Sequence, residues 1–190
     1  MSSELHYIIP IQTKLKNLNR ISQSKNVSVF TGEFDSLSEY KEVFSCLHIL
    51  LKVGNSEFYL ITAEQTEITY LAEIDHLVIV MEKEMPKLES LFGPKERKDY
   101  IKFKDLKSQD GFHLITYLEE DYYINSSSNT LDFTFEAGTA MMLEGENEKL
   151  FISCGRTPEE LFVTSNTDDI ARILTEKELK PYTLNVNSII

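Results

Sequence analysis

The chain has no tryptophan, only two cysteines, five prolines and seven glycines in 190 residues. Each shortage closes off a class of protein. Two cysteines as far apart as Cys46 and Cys154 make neither a disulfide framework nor a zinc-binding spacing. Seven glycines, none arranged as G-x-G-x-x-G or G-x4-G-K-[ST], leave no phosphate-cradling loop. No G-x-S-x-G elbow accompanies the serines. The low Gly and Pro content also excludes collagen-like repeats and low-complexity linkers. Long apolar runs are missing too, with nothing near the roughly 18 consecutive apolar residues of a membrane span. Met1-Ser2-Ser3-Glu4 lacks the basic start of an export signal, and the apolar run 5–11 is broken by His6 and Pro10. The expectation is a cytoplasmic protein with both thiols reduced.

Positive charge is the scarcest property of all. There are 19 basic residues against 31 acidic ones, a formal net charge of −12. The imbalance is concentrated: between Ser108 and Leu174 thirteen acids face three bases, whereas residues 1–107 are close to balance. Such a field repels nucleic acid and anionic lipid and attracts basic surfaces. The one basic stretch, 95–107, interleaves Tyr100 and Phe103 with lysines like a nucleic-acid strip. Three acids lie within it, and the overall charge opposes that use. No nucleic-acid or membrane partner is expected.

What is present is ordinary core material, 42% hydrophobic and 11% aromatic, enough for one domain over 1–190 without metal or disulfide support. A smaller N-terminal lobe (1–94) and an acidic C-terminal lobe (108–190) are a possible subdivision. The clearest expected element is a helix over 36–52. Ser36 and Glu39 form a capping box, Gly54 stands as a stop, and Leu37, Tyr40, Val43, Phe44, Leu47, Leu50 and Leu51 make an apolar stripe. Cys46 and Ile49 project from that stripe and offer a dimer surface. Strands are expected at 57–63, 68–74 and 77–81, with turns at 64–67 and at Asp75-His76. A short helix follows at 86–92, then strands at 112–118 and 122–124 and a polar loop at 125–129. In 131–136, Leu131, Phe133 and Phe135 alternate with Asp132, Thr134 and Glu136, the pattern of a strand with one wet face. Ala137-Gly138 reads as a turn into 139–143, and the acidic turn 144–148 leads to 150–154. Thr157-Pro158-Glu159-Glu160 reads as a second capping box opening a helix to Val163, and a last helix begins at Thr167. The order indicates an α+β fold, a mainly antiparallel sheet packed with a capped amphipathic helix and short C-terminal helices.

Chemistry is harder to find. Cys46 and His48, two apart on a helix, would point about 200° apart. The four histidines have no metal-ligand spacing, and Cys46 and Cys154 read as buried, inert thiols. No catalytic set, metal or cofactor is expected. Two acidic clusters stand out as partner-binding candidates: Glu119, Glu120 and Asp121 beside Tyr122 and Tyr123, and Glu144, Glu146 and Glu148 in a turn. The reading that follows is a non-catalytic acidic protein docking a basic macromolecule. Its most concrete form is an inhibitor, such as an immunity protein against a nuclease-like toxin. One alternative is a homodimeric adaptor or secretion chaperone. The other is a small enzyme or ligand-binding protein with a site drawn from His76, His113, Cys154 and Arg156.

Overall fold

Strands dominate. The computed structural model describes residues 5–32, 34–69, 72–86, 100–125 and 130–182. The described elements are β1 (Leu5–Ile9), α1 (Leu15–Gln23), β2 (Asn26–Thr31), β3 (Phe34–Ser36), β4 (Phe44–Cys46), β5 (His48–Val53), β6 (Glu57–Thr69) and β7 (Ala72–Glu82). They continue with β8 (Ile101–Lys107), β9 (His113–Asn125), β10 (Thr130–Glu144), β11 (Lys149–Cys154), β12 (Leu161–Thr164), α2 (Thr167–Glu176) and β13 (Lys180–Tyr182).

Two sheets form from them. Sheet I runs β7-β6-β5-β2-β8, antiparallel throughout. Sheet II runs β13-β9-β10-β11-β12-β4-β3, with β1 parallel to the first half of β10. The long β10 thus has β1 beside residues 133–137 and β11 beside 140–144, with the changeover at Gly138. Glycine is needed there, because a Cβ would run into the backbone of Pro10 and Ile11.

The sheets face each other across one core. Val29, Ile49, Leu51, Tyr59, Ile61, Leu77 and Ile79 of sheet I meet Met141, Leu143, Ile152, Leu161 and Val163 of sheet II, and Leu18 and Ile21 of α1 join them. Each such side chain contributes on the order of 1.5–3 kcal/mol of transfer free energy. A second core lies on the outer face of sheet II, where Ile170 and Ile173 of α2 and Val43 cover Met142, Phe151 and Phe162. β11 and β12 therefore carry a layer on both faces, which is why they read as unbroken apolar runs.

This architecture, two packed sheets with two helices among the described residues, overturns the α+β expectation. The helix expected over 36–52 is an irregular segment followed by β4 and β5. The chain crosses from sheet II to sheet I at Leu47, which is exposed although it belonged to the expected apolar stripe. Glu39 does not cap a helix but pairs with Arg156 at 2.5 Å. Gly54, at φ +60°, turns a β5–β6 hairpin. Cys46 and Ile49, the expected dimer surface, are buried in the central core.

The helix expected over 157–163 is also absent. The Glu160 carboxylate accepts from the backbone amides of Arg156 (2.7 Å) and Thr157 (3.1 Å) and from the Ser45 hydroxyl (2.5 Å), closing the β11–β12 turn. Leu161–Thr164 then pairs with β11 and β4. The final helix begins at Thr167, with Asn166 accepting from the amides of Asp168 and Asp169. The expected helix at 86–92 and the loop at 125–129 fall mostly outside the described residues.

Four expected breaks turn out to be strand interior. β6 and β7 are two long partners, so 64–67 and Asp75-His76 lie within the ladder. β9 runs unbroken through Glu119–Asp121, and β10 runs through Ala137-Gly138.

Candidate functional site

The cluster Glu144–Glu148 begins at one end of the β9–β10 ladder, and Glu119–Asp121 lie near its middle. Glu144 sits opposite His113, and Glu120 opposite Glu136. Seven residues of β9 separate the two positions, about 23 Å at ~3.3 Å per residue.

The second cluster is occupied within the fold. Glu144 pairs with Lys149 at 2.6 Å, and this hydrogen bond, against some desolvation, holds its carboxyl below the usual range. Glu146 accepts from the Gln109 amide (3.0 Å) and the Ser108 hydroxyl (3.1 Å), and backbone amides lower its pKa. Glu148 accepts from the Lys107 amide at 2.8 Å. Together Glu146 and Glu148 fasten the β8–β9 connection to the β10–β11 turn.

The first cluster is more open. Glu119 pairs with Lys177 at 3.2 Å, and Glu120 pairs with Lys180, which lowers the Glu120 pKa. Asp121 accepts only from the amide of its neighbour Tyr122 among the described bonds. Asp121 is exposed, and Tyr122 is 61% exposed. Tyr123 is set by the ladder opposite Phe133.

The residues of the scattered-site alternative are not brought together. Arg156 pairs with Glu39 at the surface, and His113 sits by Glu144 at the far end of β9. His76 is buried in β7 opposite Glu64, and neither ring nitrogen has a hydrogen-bond partner of ordinary geometry among the described residues. Cys154 is buried, and burial pushes its thiol far up. Burial raises Cys46 to about 12, so neither is a thiolate near neutrality. Both cysteines are free.

A polar cleft of about 180 Å³ does exist, and sequence reasoning missed it. Asp75 of β7, Glu119 of β9 and Thr139 of β10 line it, with Lys177 just after α2. Thr139 is put there by a β-bulge: Gly138 pairs with Leu118 and Ala140 with Tyr117, leaving Thr139 as the extra residue. Its hydroxyl is buried without a hydrogen-bond partner among the described residues, the residue being 3% exposed. Asp75 Oδ1 is likewise buried and unpartnered, while Gln65, opposite on β6, bonds the carboxylate. Burial raises the Asp75 pKa, opposed chiefly by Lys177. The missed signal was a charged residue inside an apolar strand, in Ile74-Asp75-His76-Leu77.

Chemically the cleft offers acceptors and negative charge rather than an activated nucleophile. Among the described residues no three His, Cys, Asp or Glu side chains are grouped to hold a metal ion. No described helix is long and apolar enough to cross a membrane. No protein-family model, curated protein or solved structure matches the chain.

The buried histidines give a pH signature. Burial holds the pKa of His76 and of His48 below the ordinary value. The unfolded chain, with histidines near 6.5, then takes up protons first as pH falls. Stability is full above about pH 6.5 and declines below it, before most carboxylates titrate. The urea midpoint should be lower at about pH 5.5 than at about pH 7.5, with a shallower decline in His76→Leu. A midpoint flat across this interval would contradict neutral burial of these rings.

Proposed function

We propose that the protein is a non-catalytic binding protein that docks a basic partner on the stretch of β9 bearing Glu120, Asp121 and Tyr122. The observation supporting this reading is the contrast between the two clusters. Glu144, Glu146 and Glu148 are engaged by Lys149 and by loop groups, whereas Asp121, which lines a net-negative cleft, and Tyr122, on the opposite face of β9, are exposed. An exposed carboxylate beside an exposed tyrosine supplies long-range attraction together with apolar contact area, the combination enriched where partners meet. The more specific form, an inhibitor such as an immunity protein acting on a basic, nuclease-like toxin, rests on charge alone.

Affinity capture from the cells that make the protein tests the reading. A basic protein recovered by the natural chain and lost with Asp121→Asn/Tyr122→Ala supports it. Equal recovery by that variant, or no basic protein among those captured, counts against it.

A further inference from the structure

The residues that interrupt the apolar strand pattern converge. Asp75, Glu119 and Thr139 come from three strands to one cleft, and Gln65 stands behind Asp75. We propose that this cleft receives a single primary ammonium group on an alkyl stem. The inference deepens the docking reading, on which it rests for the source of that group, by naming the chemistry the acidic side recognises.

Charge sets the class of ligand. Glu73, Asp75, Glu119 and Asp121 line the cleft against one cation, Lys177. That cation is already engaged within the cleft, its Nζ donating to Glu119 at 3.2 Å and to the Gly155 carbonyl at 3.4 Å, which leaves three carboxylates without a paired cation there among the described residues. Two buried acceptors remain, Asp75 Oδ1 and Thr139 Oγ1. Acceptors withdrawn from water are costly to leave unmade, and a donor carrying positive charge satisfies them best. Burial raises the pKa of Asp75, and Lys177 opposes that rise only in part, as befits a carboxylate withdrawn from water beside a shared cation.

Shape narrows the class. The volume is below the ~300 Å³ at which drug-sized pockets begin, so it admits one side-chain-sized group. Ile74 and Phe135 give part of the lining an apolar character suited to methylenes. Gln65 already bonds the Asp75 carboxylate, leaving one oxygen free rather than the parallel pair that a guanidinium fork matches. An ammonium, a compact charge with three donors, fits separate point acceptors.

The test titrates the whole isotope-labelled chain with n-butylammonium chloride, and with n-butanol and sodium butyrate at equal ionic strength, following backbone amides by NMR. Saturable shifts of residues 74–75, 139–140 and 154–155 with butylammonium alone are expected. Asp75→Asn should weaken that binding about tenfold or more, and Thr139→Val should weaken it as well. Butanol acting as strongly as butylammonium, no saturable response, or full retention in both variants would overturn the proposal.

Two further arms separate it from the docking reading. N-acetyl-lysine methylamide binding in the same way, with its Nε-acetylated form inactive, assigns the ammonium to a lysine side chain of the partner and supports both. Butylammonium binding with the lysine derivative excluded keeps the ammonium site and removes its role in docking. Capture of a basic partner unaffected by Asp75→Asn, with no butylammonium response, keeps the docking reading and removes the ammonium site.

Discussion

Ile49→Ala is expected to lower stability by about 2–5 kcal/mol, the range for removing a large aliphatic side chain from a packed core. Ile49 is 0% exposed in β5, between Thr31 of β2 and Ile61 of β6 in the ladder, and its side chain joins the core between the sheets. A helix over 36–52 would set the same residue off its apolar stripe, on a surface expected to meet a second copy. Chemical denaturation of the variant tests the burial of this side chain between the sheets. A loss below about 0.5 kcal/mol would contradict the sandwich.

The error this variant probes has a physical cause. Leu37, Tyr40 and Val43 pack on the outer core, Ile49 and Leu51 on the central one, and Leu50 is buried on the opposite face of sheet I. Three separate environments produce apolar residues at intervals that imitate one helical stripe. A strand buried on both faces has no alternation to correct the impression. The β-formers of β9, β10 and β11 were more legible as strand, although β9 and β10 each read as two pieces and β12 as a helix. The alternation of Phe133 and Phe135 with Thr134 and Glu136 also matches the observed burial.

The cleft was hidden for a related reason. Gln65, Asp75, Glu119 and Thr139 all lie in or next to stretches that read as turns, because polar residues or glycine interrupt the apolar pattern there. In the fold these interruptions meet at one place. Sites where local preference and observed structure disagree are where function is expected to be found.

Phe133→Ala is expected to cost about 3–5 kcal/mol, against at most about 1 kcal/mol for Thr134→Ala. Phe133 is buried with Ile74, Phe135 and Ala137 and meets the Tyr7 ring edge-on at a centroid separation of 5.9 Å. Removing it opens a cavity beneath β1, whose register pairs Leu5 with Phe133 and Tyr7 with Phe135. Thr134 points the other way, its hydroxyl meeting His6 at 2.8 Å in an exposed bond. Denaturation midpoints should differ clearly between the two variants, and similar midpoints would show that the faces of β10 are misassigned. Ile74 and Phe135 also line the cleft, so Phe133→Ala should weaken butylammonium binding in whatever fraction remains folded.

The docking claim meets its most direct test in the association rate with the captured basic partner, measured against ionic strength. The Debye length contracts from about 10 Å at 0.1 M salt to about 3 Å at 1 M, so a rate set by exposed charges must fall steeply. Glu120→Gln/Asp121→Asn should slow association and flatten its salt dependence, with much less change in dissociation. Glu146→Gln, which alters a carboxylate already bonded to loop groups, should leave the rate close to that of the natural protein. An association rate indifferent to salt, or one slowed as much by Glu146→Gln as by the Glu120/Asp121 pair, would contradict the assignment of the binding face.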